Sequence, residues 1–161
     1  MNSEAITVKA RIEAPALGVW MLWTTKEHIK QWHFASSEWH TPKVKIELVE
    51  EGVFRYQMAA KDESASFAFE GKFEEIDEPN HLSMTLTDGR KVMIKFKSDG
   101  RFTNVTETFE PEAETPIDDQ RRGWQAILNN FKDYAEDQLA DDDDDLMDNS
   151  RRLSRVDDYD D

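Results

Sequence analysis

Apolar and polar residues alternate in the first segment of the chain, EAITVKARIEA. An extended chain places alternate residues on opposite faces, so this pattern predicts a half-buried β-strand. Its buried face would carry Ile6, Val8, Ala10 and Ile12.

The spacing of apolar residues changes to that of a helix after Pro15, a residue that suits a first helical turn. Val19, Trp20 and Trp23 would share one face of this helix. Thr24 and Glu27 have the spacing of a capping box, which predicts a second short helix ending near Trp32.

Six further segments have the alternation of strands, and turn-forming residues separate them. The connections are too short for crossover helices, so we expect an antiparallel meander. The predicted strands are Val44–Glu50, Val53–Ala60, Ala65–Ile76, His81–Thr87, Arg90–Lys97 and Arg101–Glu110.

The Asp88-Gly89 turn constrains the register of one hairpin. A three-residue loop ending at Gly89 pairs Met84 with Val92 and Leu82 with Ile94, which keeps apolar residues on the same face. A two-residue loop would instead set apolar residues against lysines. We therefore predict the longer loop, with Gly89 left-handed.

The Asp99-Gly100 turn decides where Glu107 points. A two-residue loop pairs Val92 with Glu107 and turns that carboxyl toward the apolar face, where burial would raise its pKa. A three-residue loop places Glu107 outside, opposite Lys91. The inward arrangement is preferred because it also buries Val105 and Phe109.

The best helix pattern in the chain starts near Thr115, a suitable N-cap, and Pro116. Its apolar stripe comprises Ile117, Trp124, Leu128, Phe131 and Ala135. Gly123 interrupts it, and we attribute this glycine to close approach of the helix to the sheet.

The helical pattern breaks down after Leu139, where five successive aspartates should repel one another. We predict one folded domain over residues 1–139 and an acidic, disordered tail over residues 140–161.

The net charge of −15 argues against nucleic-acid and anionic membrane partners. The chain has no cysteine, and its histidines lack the spacing of a zinc site, so we predict neither a metal nor another cofactor. No apolar run approaches the ~20 residues of a membrane span, and the N-terminus lacks the features of a signal peptide. We expect a cytoplasmic protein.

Four segments of the chain carry a family resemblance: VWMLWTTKEHIKQW, FEGKFEEIDEPNHLSMTLTDGRKVMIKF, TNVTETFE and RRGWQAILNNFKDY. They resemble the START-like, or SRPBCC, superfamily and, within it, the branch named after the C-terminal domain of the heat-shock-90 ATPase activator. One departure is Lys26, where relatives commonly have proline. The resemblance implies an α+β helix-grip fold: a strand, two short helices and six strands form a curved antiparallel sheet around the long C-terminal helix.

Members of this superfamily bind hydrophobic ligands, act as enzymes or assist chaperones. Our leading hypothesis is that a hydrophobic small molecule binds between the sheet and the C-terminal helix. The residues predicted to contact it are Trp32, Trp39, Tyr56, Met58, Phe67, Phe69, Met84, Ile94, Glu107, Trp124, Leu128 and Phe131. The same apolar residues would also make a filled core, the role that we predict for Trp20 and Trp23.

Two other functions are weighed against ligand binding. The first is a protein-interaction or co-chaperone-like module that uses the acidic surface and tail to bind a protein partner. The second is an enzyme acting on an aromatic or polyketide-like substrate, with Glu107 as a weak candidate for the catalytic acid or base. The sequence favours a binding protein over an enzyme, because Glu107 has no catalytic partner at a defined spacing.

Overall fold

The computed structural model of the protein describes residues 4–145, with side chains described as far as Ala140. Within residues 4–145, seven strands and three helices follow one another in the order that the sequence predicts. The elements are β1 Ile6–Ile12, α1 Ala16–Thr24, α2 Lys26–Trp32, β2 Trp39–Ile46, β3 Val53–Ala60, β4 Ser66–Asp77, β5 His81–Leu86, β6 Lys91–Asp99, β7 Phe102–Phe109 and α3 Ile117–Asp145.

All strands belong to one antiparallel sheet with the order β1-β7-β6-β5-β4-β3-β2. Helices α1 and α2 connect β1 and β2, which form the two opposite edges of the sheet. The sheet curls into a half-barrel around α3, which confirms the predicted α+β helix-grip fold.

The core lies between the sheet and the helices. Leu128, Phe131 and Ala135 of α3 are completely buried, as the stripe predicts. Ile117 is an exception, because it lies at the start of the helix and is 41% exposed. No helix within residues 4–145 has the length and hydropathy needed to cross a membrane.

The β5–β6 hairpin has the predicted register. Met84 pairs with Val92 and Leu82 with Ile94, across a loop in which Gly89 has a φ of 94°. The apolar pairs and the left-handed glycine therefore select the three-residue loop together.

The β6–β7 hairpin is displaced by two residues from the predicted register. Ile94, rather than Val92, pairs with Glu107, and Val92 pairs with Phe109. The two-residue loop consists of Gly100 and Arg101, with Gly100 at a φ of 63° in the first position, where the type II′ turn favours glycine. A shift of two preserves the faces, so the inward prediction for Glu107 is confirmed although its partner was wrong.

Strands β4 to β7 end within two residues of their predicted bounds, and β2 ends at Ile46 rather than Glu50. Three differences have a clear physical reason. The capping box does not form, because the Thr24 hydroxyl donates to the Trp20 carbonyl and Thr25 is the N-cap residue of α2. Strand β2 starts at Trp39 rather than Val44, and its register shifts between His40 and Lys43. This irregularity, at an edge strand that contains a proline, hides the strand from a search for alternation.

The third difference is the end of α3. The helix continues to Asp145, so the expectation that the aspartates leave the helix after Leu139 was wrong for residues 141–145. Residues 146–161 lie outside the described part of the chain, and the acidic tail stays a prediction there.

Candidate functional site

A cavity of about 330 Å³ lies between the concave face of the sheet and α3. Its lining comes from α1, α2 and the segment after it, β2, β3, β4, β7, α3 and the turns next to them. A smaller inner space of about 20 Å³ shares lining residues with it, among them His33 and Glu107. The inner space has room for about one water molecule.

The walls of the cavity are predominantly aromatic. Four of the five tryptophans line it: Trp23, Trp32, Trp39 and Trp124. Trp124 stacks on the Phe109 ring with centroids 3.7 Å apart, which fixes the orientation of its indole. Ring contacts within the chain therefore hold the aromatic walls.

Two tryptophans of α1 have different roles. Trp20 packs edge-on against Phe96 and belongs to the core, as predicted. Trp23 packs edge-on against Phe131 but also lines the cavity, so its assignment to the core alone was incomplete. Helix periodicity identifies the buried face of α1, but it does not show where the packing on that face ends.

Trp32 is held in place by hydrogen bonds at both of its ends. Its indole N–H donates to the Leu22 carbonyl at 3.1 Å, and the Asn130 amide donates to the Trp32 carbonyl at 2.8 Å. These bonds connect α2 to α1 and α3 and keep the indole at the cavity wall.

Glu107 lies in the middle of β7, between Val8 of β1 and Ile94 of β6. Its residue is 8% exposed, and no hydrogen bond or ion pair to its carboxyl occurs among residues 4–140. Burial raises the pKa of Glu107 to about 8, because no nearby group stabilises the charged form. The carboxyl therefore holds its proton at neutral pH.

His33 follows α2 and reaches the same inner space as Glu107. Its Nδ1 atom is buried without a hydrogen-bond partner. Burial lowers the pKa of His33 to about 4, so its ring is neutral. The ring packs against Tyr56 and Phe69, with centroids 4.9 and 5.4 Å away.

Polar residues from turns complete the wall nearer the helix start. Arg90 pairs with Asp88 at 2.8 Å, and the Gln120 amide donates to the carbonyls of Glu112 and Thr115. The Oε1 atom of Glu112 is buried without a partner.

Most of the predicted ligand-contacting residues come together here. Seven line the cavity: Trp32, Trp39, Met58, Phe67, Phe69, Glu107 and Trp124. Tyr56, Met84 and Ile94 line the inner space. Leu128 and Phe131 line neither space, because they point into the filled part of the core.

Several lining residues were missed by the sequence analysis, namely Trp23, His33, Ala35, Arg90, Glu112, Gln120, Gly123 and Ile127. The explanation given above for Gly123 was wrong, because a Cβ added at this position would have no neighbour within 4 Å. Close approach of the helix to the sheet therefore does not account for this glycine, which instead leaves space in the cavity.

The aromatic walls can bury the apolar part of a ligand. The polar side chains at the inner end of the cavity can form hydrogen bonds with a polar group of that ligand. Among the residues that the structure describes, no group of three or more His, Cys, Asp or Glu side chains could hold a metal ion. The three titratable groups at the inner end are Tyr56, His33 and Glu107.

Comparisons with known proteins identify relatives over most of the chain. The model of the family "Activator of Hsp90 ATPase homolog 1-like protein" matches residues 13–136. The solution structure of an AHSA1-like protein from Aeromonas hydrophila is 42% identical over 83% of this chain and 93% of its own, with a TM-score of 0.79.

Chr148 from Cytophaga hutchinsonii is also 42% identical, over 86% of this chain and 96% of its own, with a TM-score of 0.74. NE0264 from Nitrosomonas europaea, at 17% identity over 87% of this chain and 99% of its own and a TM-score of 0.72, shares the fold. No curated protein matches the sequence. The chain belongs to the family of Activator of Hsp90 ATPase homolog 1-like proteins, a START-like branch.

Proposed function

We propose that this protein binds a hydrophobic small molecule in the cavity between the sheet and α3. The observation that supports this most is a half-open space of about 330 Å³ between the sheet and α3, beside a close-packed core. Ligand pockets span roughly 300–1,000 Å³ and are mostly apolar with a few polar groups. The aromatic walls, Glu107 and His33 fit that description.

The glycine at position 123 leaves open a part of the cavity that a larger side chain would fill. Gly123 faces the cavity from α3, although glycine costs a helix about 1 kcal/mol relative to alanine. A longer side chain would occupy the cavity and remove that cost. An open cavity at a helix glycine supports a binding role over a solely structural one.

The direct test is a two-dimensional NMR titration of labelled protein with a panel of lipids, sterols, flavonoids and aromatic amines. The indole signals of the four lining tryptophans should shift saturably, whereas the core indole of Trp20 should stay fixed. Shifts of all five indoles together would indicate a global change, and a silent panel would contradict ligand binding.

A substitution series at Gly123 links binding to the cavity itself. Gly123→Leu should abolish the titration because its side chain fills the space, while Gly123→Ala should retain most of it. Asp133→Leu places the same side chain on the exposed side of α3 and serves as the matched control. Binding that survives Gly123→Leu would place the ligand elsewhere.

The two alternative functions stay predictions. A protein partner for the acidic tail involves residues outside the described range. An enzymatic role for Glu107 would require a substrate, and Glu107→Gln with unchanged turnover of that substrate would remove the residue from catalysis.

A further inference from the structure

Two carboxyl groups in the cavity wall have oxygen atoms without a partner. The carboxyl of Glu107, 8% exposed, has neither a hydrogen bond nor an ion pair within residues 4–140. Oε1 of Glu112 is buried and also unpartnered. A buried carboxyl without partners costs free energy, so a ligand that supplies a partner gains affinity from it.

The ionisable groups that line the cavity are predominantly acidic. Two carboxyls, Glu107 and Glu112, face it together with one guanidinium, that of Arg90. Arg90 is already engaged, because its Nε donates to Asp88 at 2.8 Å. The whole chain carries a net charge of −15, which raises the local concentration of cations and repels anions.

The walls add a second attraction for positive charge. The faces of aromatic rings are negative, and tryptophan attracts a cation more strongly than the other rings do. Trp23, Trp32, Trp39 and Trp124 all line the cavity, together with Phe67 and Phe69. Recognition of quaternary ammonium groups by clustered aromatic rings has the same physical basis.

We propose that the cavity selects hydrophobic organic cations, protonated or quaternary amines whose charged nitrogen lies against Glu107 and whose apolar body contacts the aromatic walls. This inference rests on the proposed function and specifies the chemical class of the ligand. Neutral apolar molecules would gain the hydrophobic contact alone, and anionic lipids would be repelled wherever either carboxyl is ionised.

Binding of a cation should release a proton. Burial raises the pKa of Glu107 to about 8, and a cation next to the carboxyl stabilises its ionised form. The titratable and charged groups around it are His33 after α2, Tyr56 on β3, Arg90 before β6 and Glu112 after β7. His33 is neutral, with a pKa lowered by burial to about 4, and burial raises the pKa of Tyr56 above its ordinary value.

The test compares three ligands of matched shape and different charge by calorimetry: phenethyltrimethylammonium, its neutral carbon isostere neohexylbenzene, and phenylbutyrate. The quaternary nitrogen does not titrate, so any pH dependence belongs to the protein. Near pH 8 the cation should bind about tenfold more tightly than the neutral isostere, and phenylbutyrate should bind most weakly. The affinity of the cation should rise by up to about tenfold per pH unit below pH 8, without a corresponding rise for the neutral ligand.

Glu107→Gln should remove the pH dependence of cation binding and reduce the preference for the cation to the part that the aromatic walls supply. Glu75→Gln makes the same change in net charge on the exposed side of β4 and should leave both intact. The pH series on the unmodified protein tests the proposal even if Glu107→Gln fails to fold.

The outcomes separate this inference from the proposed function. Equal affinities for the cation and its neutral isostere would overturn the inference and leave hydrophobic ligand binding in place. If the cation does not bind while other members of the NMR panel do, the inference about cations is likewise overturned and hydrophobic ligand binding is kept. Silence of all ligands in both experiments would overturn the two proposals together.

Discussion

At the residue scale, Glu107 stands out because a protonatable group occupies an apolar site. The carboxyl should have an ordinary pKa near 4.5 in the unfolded chain and has one of about 8 in the folded protein. Between these two pH values the folded protein holds a proton that the unfolded chain releases, so stability falls as pH rises. Below pH 4.5 the carboxyl is protonated in both states and does not change the free energy of unfolding. Above pH 8 it is ionised in both states, and the full cost of burying the charge lowers the stability of the folded protein.

Glu107→Gln should therefore stabilise the protein in a pH-dependent way. We expect similar stabilities near pH 4.5 and a gain on the order of a few kcal/mol for the variant near pH 8. Urea unfolding of both proteins across this range measures the difference. A difference that does not change with pH would show that the carboxyl titrates normally, and Glu75→Gln, at an exposed position, should show no such trend.

His33 should have the opposite dependence on pH. Burial lowers its folded pKa from 6.5 to about 4, so the unfolded chain takes up a proton first as the pH falls. His33→Phe should remove the loss of stability that the histidine causes between pH 6.5 and about 4. Unfolding curves of the variant that retain the full acid-induced loss would assign it to other groups.

At the element scale, two glycines with different surroundings should respond oppositely to alanine. A Cβ at Gly71 in β4 would lie 2.3 Å from the Thr85 carbonyl oxygen and 2.8 Å from Leu86 Cα, and neither backbone atom can move without distorting β5. Gly71→Ala should cost roughly 3 kcal/mol. Gly123→Ala meets no atom within 4 Å and should stabilise α3 by about 1 kcal/mol.

Thermal and urea unfolding of the two alanine variants measure this contrast. The substitution is the same in both, so a difference in sign reports the space around each backbone position. A neutral Gly71→Ala would mean that β4 and β5 can separate at little cost. A destabilising Gly123→Ala would mean that the cavity wall closes on this position.

The same contrast explains what the sequence could predict. Regular alternation identified β3 with both ends correct. It also placed Glu107 inside, because a register shifted by one residue would expose Val105 and Phe109. Periodicity reports which face of an element is inward, but it does not report whether that face meets another side chain or empty space. Leu128 and Gly123 both lie on α3, yet only Gly123 lines the cavity.

The polar part of the cavity could not be predicted for a different reason. Arg90 and Glu112 lie in connections between elements, where no repeating pattern fixes their direction. Gln120 lies on the inward face of α3, but a search for apolar residues does not detect a buried polar one. His33 follows the last turn of α2, and its orientation depends on packing against Tyr56 from a strand more than twenty positions away. Such contacts are set by the tertiary fold.

At the scale of the whole molecule, the end of α3 is where the packed core stops and the acidic segment of the chain begins. Leu139 is buried, and its Cδ1 would lie 3.1 Å from a Cβ at Gly18, so this leucine attaches the helix end to α1. The next five helical residues, 141–145, follow Ala140 and are all aspartates. Negative charge at a helix C-terminus opposes the helix dipole, and neighbouring aspartates repel one another.

Deleting residues 141–161 should therefore keep or raise the stability of the domain, whereas ending the chain at Gln138 should cost about 2–4 kcal/mol because Leu139 is lost. Urea unfolding of the two truncated chains beside the full chain measures both effects. Any gain from the first deletion should shrink in about 0.5 M salt, because the repulsion is screened. A first deletion as damaging as the second would show that the aspartates make contacts that stabilise the native fold, and the proposed division at residue 139 would then be wrong. A neutral or stabilising deletion would leave the acidic segment free of a folding role, which is the condition for assigning it to solubility or to a partner.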